Sequence, residues 1–405
     1  MNQQLDVVTH RYRSTSSSWL SKIGAAALTF LLAFSVYAEN PYLAGVFLIG
    51  LMVGVTIQKS RFCFVACFRD PLLTGDTTLS RALVLSLGIA TLGFSLVAHF
   101  WNPSLKLVTH PMGLHTMIGG VLFGVGMVLA GCCASGALVR TGEGSVAQIF
   151  ALGGLVLGST WAASHLGWWY QIAIKGSPVI TLHKLCGWPA GLMVQLTALA
   201  LVYYLLLILE ARSFGYQGLR AHTLPSQRQL LRKSLDEILE SPWSYEIGAV
   251  LLAILSVFSF LYQGQPWSIT TGLAFWGARV LTYLGGAPQN WLFFANRQEV
   301  LDLNLLAEPR TVMNIAIICG ALLASALASE LRLRKTRSYK YALVAFAGGI
   351  MMGYGARIAS GCNIGALYNG IASTSLHGWS FAFFVLAGAY AGTQILIRLF
   401  LGAKS

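Results

Sequence analysis

GGVLFGVGMVLAGCCASGAL, residues 119 to 138, and GGIMMGYGARIASGCNIGAL, residues 348 to 367, are near copies of one another. They align without a gap at an offset of 229 residues, with nine of twenty positions identical and Cys133 falling on Cys362. A duplicated unit built around a cysteine gives architecture, symmetry and a candidate site together. Each copy is apolar and rich in glycine, so each reads as a membrane helix whose bare backbone lets another helix approach closely.

The surroundings agree. Of 405 residues, 56% are hydrophobic and only 10% are charged, against roughly 25% charged residues in a soluble domain. Runs able to cross about 30 Å of hydrocarbon recur at about 23–38, 42–57, 83–100, 116–131, 146–164, 189–209, 246–262, 311–329, 342–359 and 380–401. The expected fold is therefore an all-α polytopic membrane protein with about ten spans. Residues 62–68, 268–284 and the segments after Cys133 and Cys362 are short, broken by glycine or charged. They are expected to be re-entrant, which requires protein or an aqueous cavity around their backbone.

The chain divides into a basic tail with an additional signal-anchor span (1–41), a first membrane half (42–209), a polar connector (210–245), a second membrane half (246–401) and a C-terminal tail (402–405). The first apolar run ends at Val36-Tyr37-Ala38, which resembles a signal-peptide cleavage site, but the run also serves as an anchor. Within the connector, residues 228–240 have helical apolar spacing on an otherwise solvated segment.

A net charge of +13 could suggest nucleic acid, yet a cytoplasmic N-terminus places 19 of the 27 Lys and Arg on the inner side. That is the positive-inside bias of a plasma-membrane protein. Both termini are then cytoplasmic, and no nucleic-acid partner is expected. With this topology the span before Cys133 runs inward and the span before Cys362 runs outward. The repeats are inverted, an arrangement by which secondary transporters build a site from broken helices near the midplane.

Chemistry-bearing residues cluster in three segments. The first holds Gln58, Lys59, Arg61, Cys63, Cys67, Arg69 and Asp70; the second holds Cys132, Cys133, Arg140 and Glu143; the third holds Cys362, Asn363 and His377. Ionisable groups in apolar segments need a polar cavity, an interface or a partner. Seven cysteines, mostly in apolar runs, are not a secreted disulfide framework. No CxxC pair occurs and His377 is the one histidine near these thiols, so no metal site is expected. Neutral thiols instead offer weak, polarisable S–H donors, suited to a solute that contains sulfur. No Walker motif appears, and no cofactor is expected.

QKSRFCFVACFRD, GCCASGALVRTGEGS and ASGCNIGALYNGIASTSLHGW resemble the signature segments of the YeeE/YedE family of sulfur-compound membrane transporters, from about residue 42 onward. The resemblance implies an inverted-repeat transporter, not an enzyme, with re-entrant loops meeting at a narrow centre and a positive outer concavity. It implies uptake of thiosulfate or a related small anion through the inner membrane, with Cys63, Cys133 and Cys362 as the pathway thiols. Gln58, Arg61, Cys132, Glu143, Arg279 and Asn363 are secondary candidates. Cys132 departs from the family pattern, which more often shows glycine there.

Lys106, Lys175, Lys184, Arg279, Arg297 and Arg310 are the candidate outer cations, with Arg279 foremost because it lies inside an apolar segment. Asp70, Asp76 and Glu143 are the acids near the motifs. A cytosolic sulfurtransferase is the partner class the resemblance implies. The competing readings are a selenium-compound transporter of the same family and a membrane thiol oxidoreductase or sulfurtransferase component.

Overall fold

Asn40 accepts a hydrogen bond from the Tyr42 amide, and Pro41 takes the first helical position, where its missing N–H costs nothing. The same chemistry opens other spans: Ser244 accepts from the Ile247 amide, and Glu308, followed by Pro309, accepts from Thr311 at 2.6 Å. The computed structural model describes residues 19–101, 105, 107–221, 241–295, 297–336 and 338–400. Arg11, Arg13, Lys106, residues 228–240 and the tail at 402–405 lie outside the described residues.

Ten helices are long and apolar enough to cross a membrane, and no strand occurs among the described residues. The first, α1 (Trp19–Glu39), buries Val36 and packs on α2 (Pro41–Ser60). Then follow a short α3 (Phe64–Leu73), α4 (Thr78–Leu96), α5 (Leu114–Ala130), a short α6 (Ala134–Gly142), α7 (Val146–Trp169) and α8 (Trp188–Ala221). The later part of the chain repeats the order as α9 (Tyr245–Gln263), α10 (Ile269–Tyr283), α11 (Pro309–Leu327) and α12 (Tyr339–Ile358). It closes with α13, a π-helical stretch Asn363–Tyr368 running into Asn369–Ala372, and with α14 (Leu376–Phe400).

Packing reproduces the repeat. Helix α2 lies on α11 and its counterpart α9 on α4; α5 lies on α14 and its counterpart α12 on α7. Counterparts also meet each other head to tail. Tyr42 at the start of α2 stacks at 5.1 Å on Tyr262 at the end of α9, while Ser60 at the end of α2 lies beside Gly248 at the start of α9. Helices α5 and α12 cross the same way, Gly119 against Gly355 and Gly126 against Gly348. Counterparts that run antiparallel make the repeat an inverted one. Glycine is required at these crossings because helices immersed in lipid associate by close packing rather than by hydrophobic exclusion from water. Gly120 and Gly124 abut the α14 backbone, and Gly349 and Gly353 abut that of α7.

The segments expected to be re-entrant are α3, α6, α10 and α13. Each is short, follows a sharp turn at a helix end, and is enclosed by the long helices: α3 touches α14, α10 touches α7, α6 touches α11, and α13 touches α4.

Candidate functional site

Three times the backbone turns through a left-handed residue two positions before a cysteine: Arg61 (φ 52°) before Cys63, Gly131 (φ 68°) before Cys133, and Ser360 (φ 61°) before Cys362. The turns close long helices. Phe62 N–H donates to Ile57 and Gly361 N–H to Ala356, the six-residue closure of a Schellman motif. Glycine is free in this conformation, whereas Arg61 and Ser360 bear about 1–2 kcal/mol each, a cost that the surrounding packing must offset.

After each turn the cysteine is extended and caps a short helix: Cys63 for α3, Cys133 for α6 and Cys362 for α13. Their carbonyls accept the first helical bonds, from Cys67 at 3.2 Å, Ala137 at 2.8 Å and Ala366 at 2.7 Å. Each thiol thus sits at the positive end of a broken helix. The Cys133 sulfur accepts from the Gly136 amide at 3.4 Å and lies 3.2 Å from the Ser135 hydroxyl. Cys63 and Cys362 make no such side-chain cap.

The fourth broken helix, α10, follows the left-handed Gly264 and is capped by Ser268, extended at φ −140°. Helix α10 occupies the place of α3 in the repeat, so Ser268 stands where Cys63 stands. Its hydroxyl lies 3.2 Å from that of Thr271. Sequence similarity could not reveal this pairing, since QPWSIT shares nothing with SRFCFV; only the order of elements carries it.

Two cavities flank the thiols. The larger, about 890 Å³, is lined by Lys184, Arg297, Arg310, Arg357 and His110, by Trp267 and Phe293, and by Ser268, Ser360, Gly365 and Asn369 beside Cys362. The smaller, about 210 Å³, is lined by Cys63 itself with Arg61, Arg69, Arg140, Asp70, Asp76 and Gly131, the last beside Cys133. Cys133 and Cys362 are each 1% exposed. Cys133 lies within electrostatic range of both Cys63 and Cys362; Cys63 lines the smaller cavity, and Ser360, two residues before Cys362, lines the larger.

Two arginines lie near these thiols. Arg357, near Cys362, donates from Nη2 to the Thr270 carbonyl at 2.7 Å and lies 4.4 Å above the Phe293 ring, with Nε unpartnered. Arg140, near Cys63 and Cys133, donates from Nη1 to the Gly131 carbonyl at 3.0 Å. Neither has a charged counterpart, because Val128 matches Arg357 and Asn369 matches Arg140. Arg140 stands in a chemistry-bearing segment of the sequence but is not among its pathway candidates, and Arg357 is not singled out there. A charge inside an apolar run, unmatched in the repeat, was the available signal.

The remaining candidates disperse. Arg61 pairs with Glu143 at 3.1 Å and with Glu330; Gln58 also donates to Glu330, and Arg334 approaches Glu143 at 4.0 Å. These groups form a polar latch between the two repeats at the small-cavity end. Cys132 is fully buried. Asn363, 1% exposed, reaches the Met127 sulfur at 3.6 Å and leaves Oδ1 unpartnered. Cys67 points its sulfur at the Cys63 and Leu79 carbonyls and lines neither cavity.

Arg279, foremost among the outer cations in the sequence, does not line the large cavity. Its guanidinium clasps the carbonyls of Val300, Leu303 and Asn304, so that its burial has a structural cause. Lys175 is exposed and also outside the cavity, whereas Lys184, Arg297 and Arg310 line it. Among the described residues no group of His, Cys, Asp and Glu could hold a metal ion.

The family model described as sulphur transport matches residues 59–391. Among curated proteins, the thiosulfate transporter TsuA of Spirochaeta thermophila is 29% identical over 366 residues, covering 87% of this chain and 98% of that protein. The thiosulfate transporter TsuA of Escherichia coli is 26% identical over 364 residues, 86% of this chain and 92% of that protein. The probable transporter YedE of Salmonella typhimurium is 30% identical over a shorter stretch of 155 residues, 38% of each chain. With the matched region spanning every broken helix and all three capping cysteines but none of α1, the chain belongs to the sulphur transport family of membrane transporters.

Proposed function

We propose that this protein takes up a small sulfur-containing anion, thiosulfate the best match, through the inner membrane of a bacterial cell by way of Cys362, Cys133 and Cys63 in turn. The observation that supports the reading is the set of groups brought together: a cavity lined by cations including Arg357, three cysteines each capping a broken helix, and a second cavity lined by Cys63 and Arg140. The two TsuA relatives carry thiosulfate in their names.

The physics favours passage over tight binding. Lys184, Arg297, Arg310 and Arg357 concentrate a dianion in a cavity of about 890 Å³, where a unit-charge pair at 4 Å is worth about 1 kcal/mol in water and about 4 kcal/mol near a protein surface. Beyond Arg357 the route offers neutral S–H donors and helix-terminal dipoles, each weak enough to release the solute to the next. Arg140 then draws it to the small cavity, whose carboxylates Asp70 and Asp76 oppose retention. Oxygen anions lack the soft terminal atom that a thiol can hold, so sulfate should compete poorly. With the N-terminus in the cytoplasm, the small cavity opens inward, toward a cytosolic sulfurtransferase as acceptor.

Uptake of radiolabelled thiosulfate by proteoliposomes, with excess unlabelled sulfate, sulfite or selenium oxyanions, tests the reading. Inhibition by thiosulfate far exceeding that by sulfate supports it; equal inhibition by sulfate, or no uptake, refutes it. Stronger inhibition by a selenium compound would assign the substrate to selenium. A covalent cysteine intermediate trapped during turnover would instead favour thiol chemistry.

A further inference from the structure

A titratable pair in the wall of the large cavity is left unused by this reading. His110, half-buried in the loop before α5, lines the cavity. Its ring meets that of His377 edge to face, with centroids 5.3 Å apart and planes at 73°. His377, at the start of α14, has no exposed surface. Its Nε2 donates to the Ala359 carbonyl at 2.9 Å, which leaves the lone pair on Nδ1, and Nδ1 has no partner. A buried ring nitrogen with no hydrogen-bond partner, on an imidazole packed against a second imidazole, calls for an explanation.

Ala359 lies one residue before the left-handed Ser360 and three before Cys362. The pair therefore grips the turn that aims the pathway thiol. The charged and titratable groups facing it are His115 in the first turn of α5, Arg357 at the end of α12 and Arg297 from the loop after α10; His99, His183, Arg310 and Lys184 line the same cavity. No carboxylate is among the described lining residues, Glu308 being engaged with Arg310 at 3.5 Å behind the wall. Burial, then His115, Arg357 and Arg297, hold the His110 imidazole down at about 4, so it is neutral at neutral pH.

A dianion among these cations offsets part of their positive charge and so eases the penalty on a protonated imidazole. We propose that His110 and His377 form a proton-binding site that fills when a dianion enters the large cavity, so that anion binding takes up a proton. The inference rests on reading that cavity as the anion's entry site. Linkage is reciprocal: whatever factor the anion adds to proton affinity, the proton adds to anion affinity. A single linked proton strengthens anion binding by up to about tenfold for each pH unit lowered across the window between the two imidazole values. The carried anion then enters with part of its charge offset, and uptake accelerates as external pH falls.

Calorimetry separates this from the transport reading. Thiosulfate is titrated into the purified full-length protein at pH 6 in MES and in Bis-Tris, whose heats of ionisation differ. The expected result is binding whose heat depends on the buffer, with a substantial fraction of one proton taken up per anion. In His110→Gln that uptake falls at least threefold while the anion still binds. His377→Gln is the second variant, read the same way should His110→Gln fail to fold. Buffer-independent heats of binding in the unaltered protein, or full proton uptake persisting in both variants, overturn the pair's role. No heat of binding in either buffer overturns the entry site itself and this inference with it.

Discussion

Gly126 and Gly348 face each other backbone to backbone: a Cβ on either would lie 2.6 Å from the carbonyl oxygen of the other. The contact is reciprocal, and Gly119 with Gly355 repeats it in the opposite sense along the same crossing. The pseudo-twofold axis that relates the inverted repeats therefore passes through this crossing. Gly126→Val or Gly348→Val forces apart α5 and α12, and overpacking of this kind costs about 1–3 kcal/mol. Thermal unfolding in detergent should show a clearly lower midpoint for both variants, whereas Gly153→Val, which has only Phe346 near at 3.9 Å, should unfold as the unaltered protein does.

Arg357 and Arg279 are both arginines drawn into apolar surroundings, and they should fail differently. Arg357→Gln removes a charged donor from the cavity wall, a loss of about 1.5–3 kcal/mol, so the KM for thiosulfate should rise about 10- to 100-fold. Arg357→Lys should recover only part of this, because an ammonium cannot keep the fork to Thr270 while stacked on Phe293. Arg279→Gln releases the loop carbonyls of Val300, Leu303 and Asn304. Stability should fall with KM unchanged, and a raised KM would show that Arg279 reaches the anion after all.

The latch at the small-cavity end should respond asymmetrically to its two halves. Glu143 is 6% exposed on its side chain, while Arg61 is 41% exposed. Arg61→Gln leaves a buried carboxylate with Arg334 at 4.0 Å and the nearby Arg140, and weakening the pairing of a buried charge is the expensive error, about 3–5 kcal/mol in a fully enclosed pair and less here. Glu143→Gln strands only a solvated guanidinium that still has Glu330. Labelling of Cys63 by a membrane-impermeant maleimide should accelerate several-fold in Arg61→Gln and little in Glu143→Gln. Equal rates in both would show that the latch does not guard the cavity.

The ten membrane helices were legible because hydropathy and length report directly on a bilayer about 30 Å thick. Inversion was legible from the charge bias and the duplicated Gly-Cys stretches, and the Tyr42–Tyr262 stack bears it out. The broken helices were visible as short or charged runs. What escaped was the fourth cap: Ser268 takes Cys63's place in the repeat with no residue identity around it, since only the turn and the element order survive. Arg357 escaped because it lies within a run long and apolar enough to read simply as a membrane span. Arg279, foremost in the sequence, does not line the large cavity, for the complementary reason. A buried arginine needs acceptors, and a folded loop supplied three carbonyls that no linear pattern announces.

The proposed thiol pathway carries the account, and Cys133 is its proposed central member, 1% exposed and within electrostatic range of Cys63 and Cys362. The direct measurement is radiolabelled thiosulfate uptake by proteoliposomes holding Cys133→Ala, beside Cys132→Ala, with equal protein confirmed in the membrane. Uptake should fall at least tenfold in Cys133→Ala and stay within about twofold in Cys132→Ala, a tenfold loss corresponding to about 1.4 kcal/mol. Unchanged uptake through well-inserted Cys133→Ala would contradict a pathway of thiols.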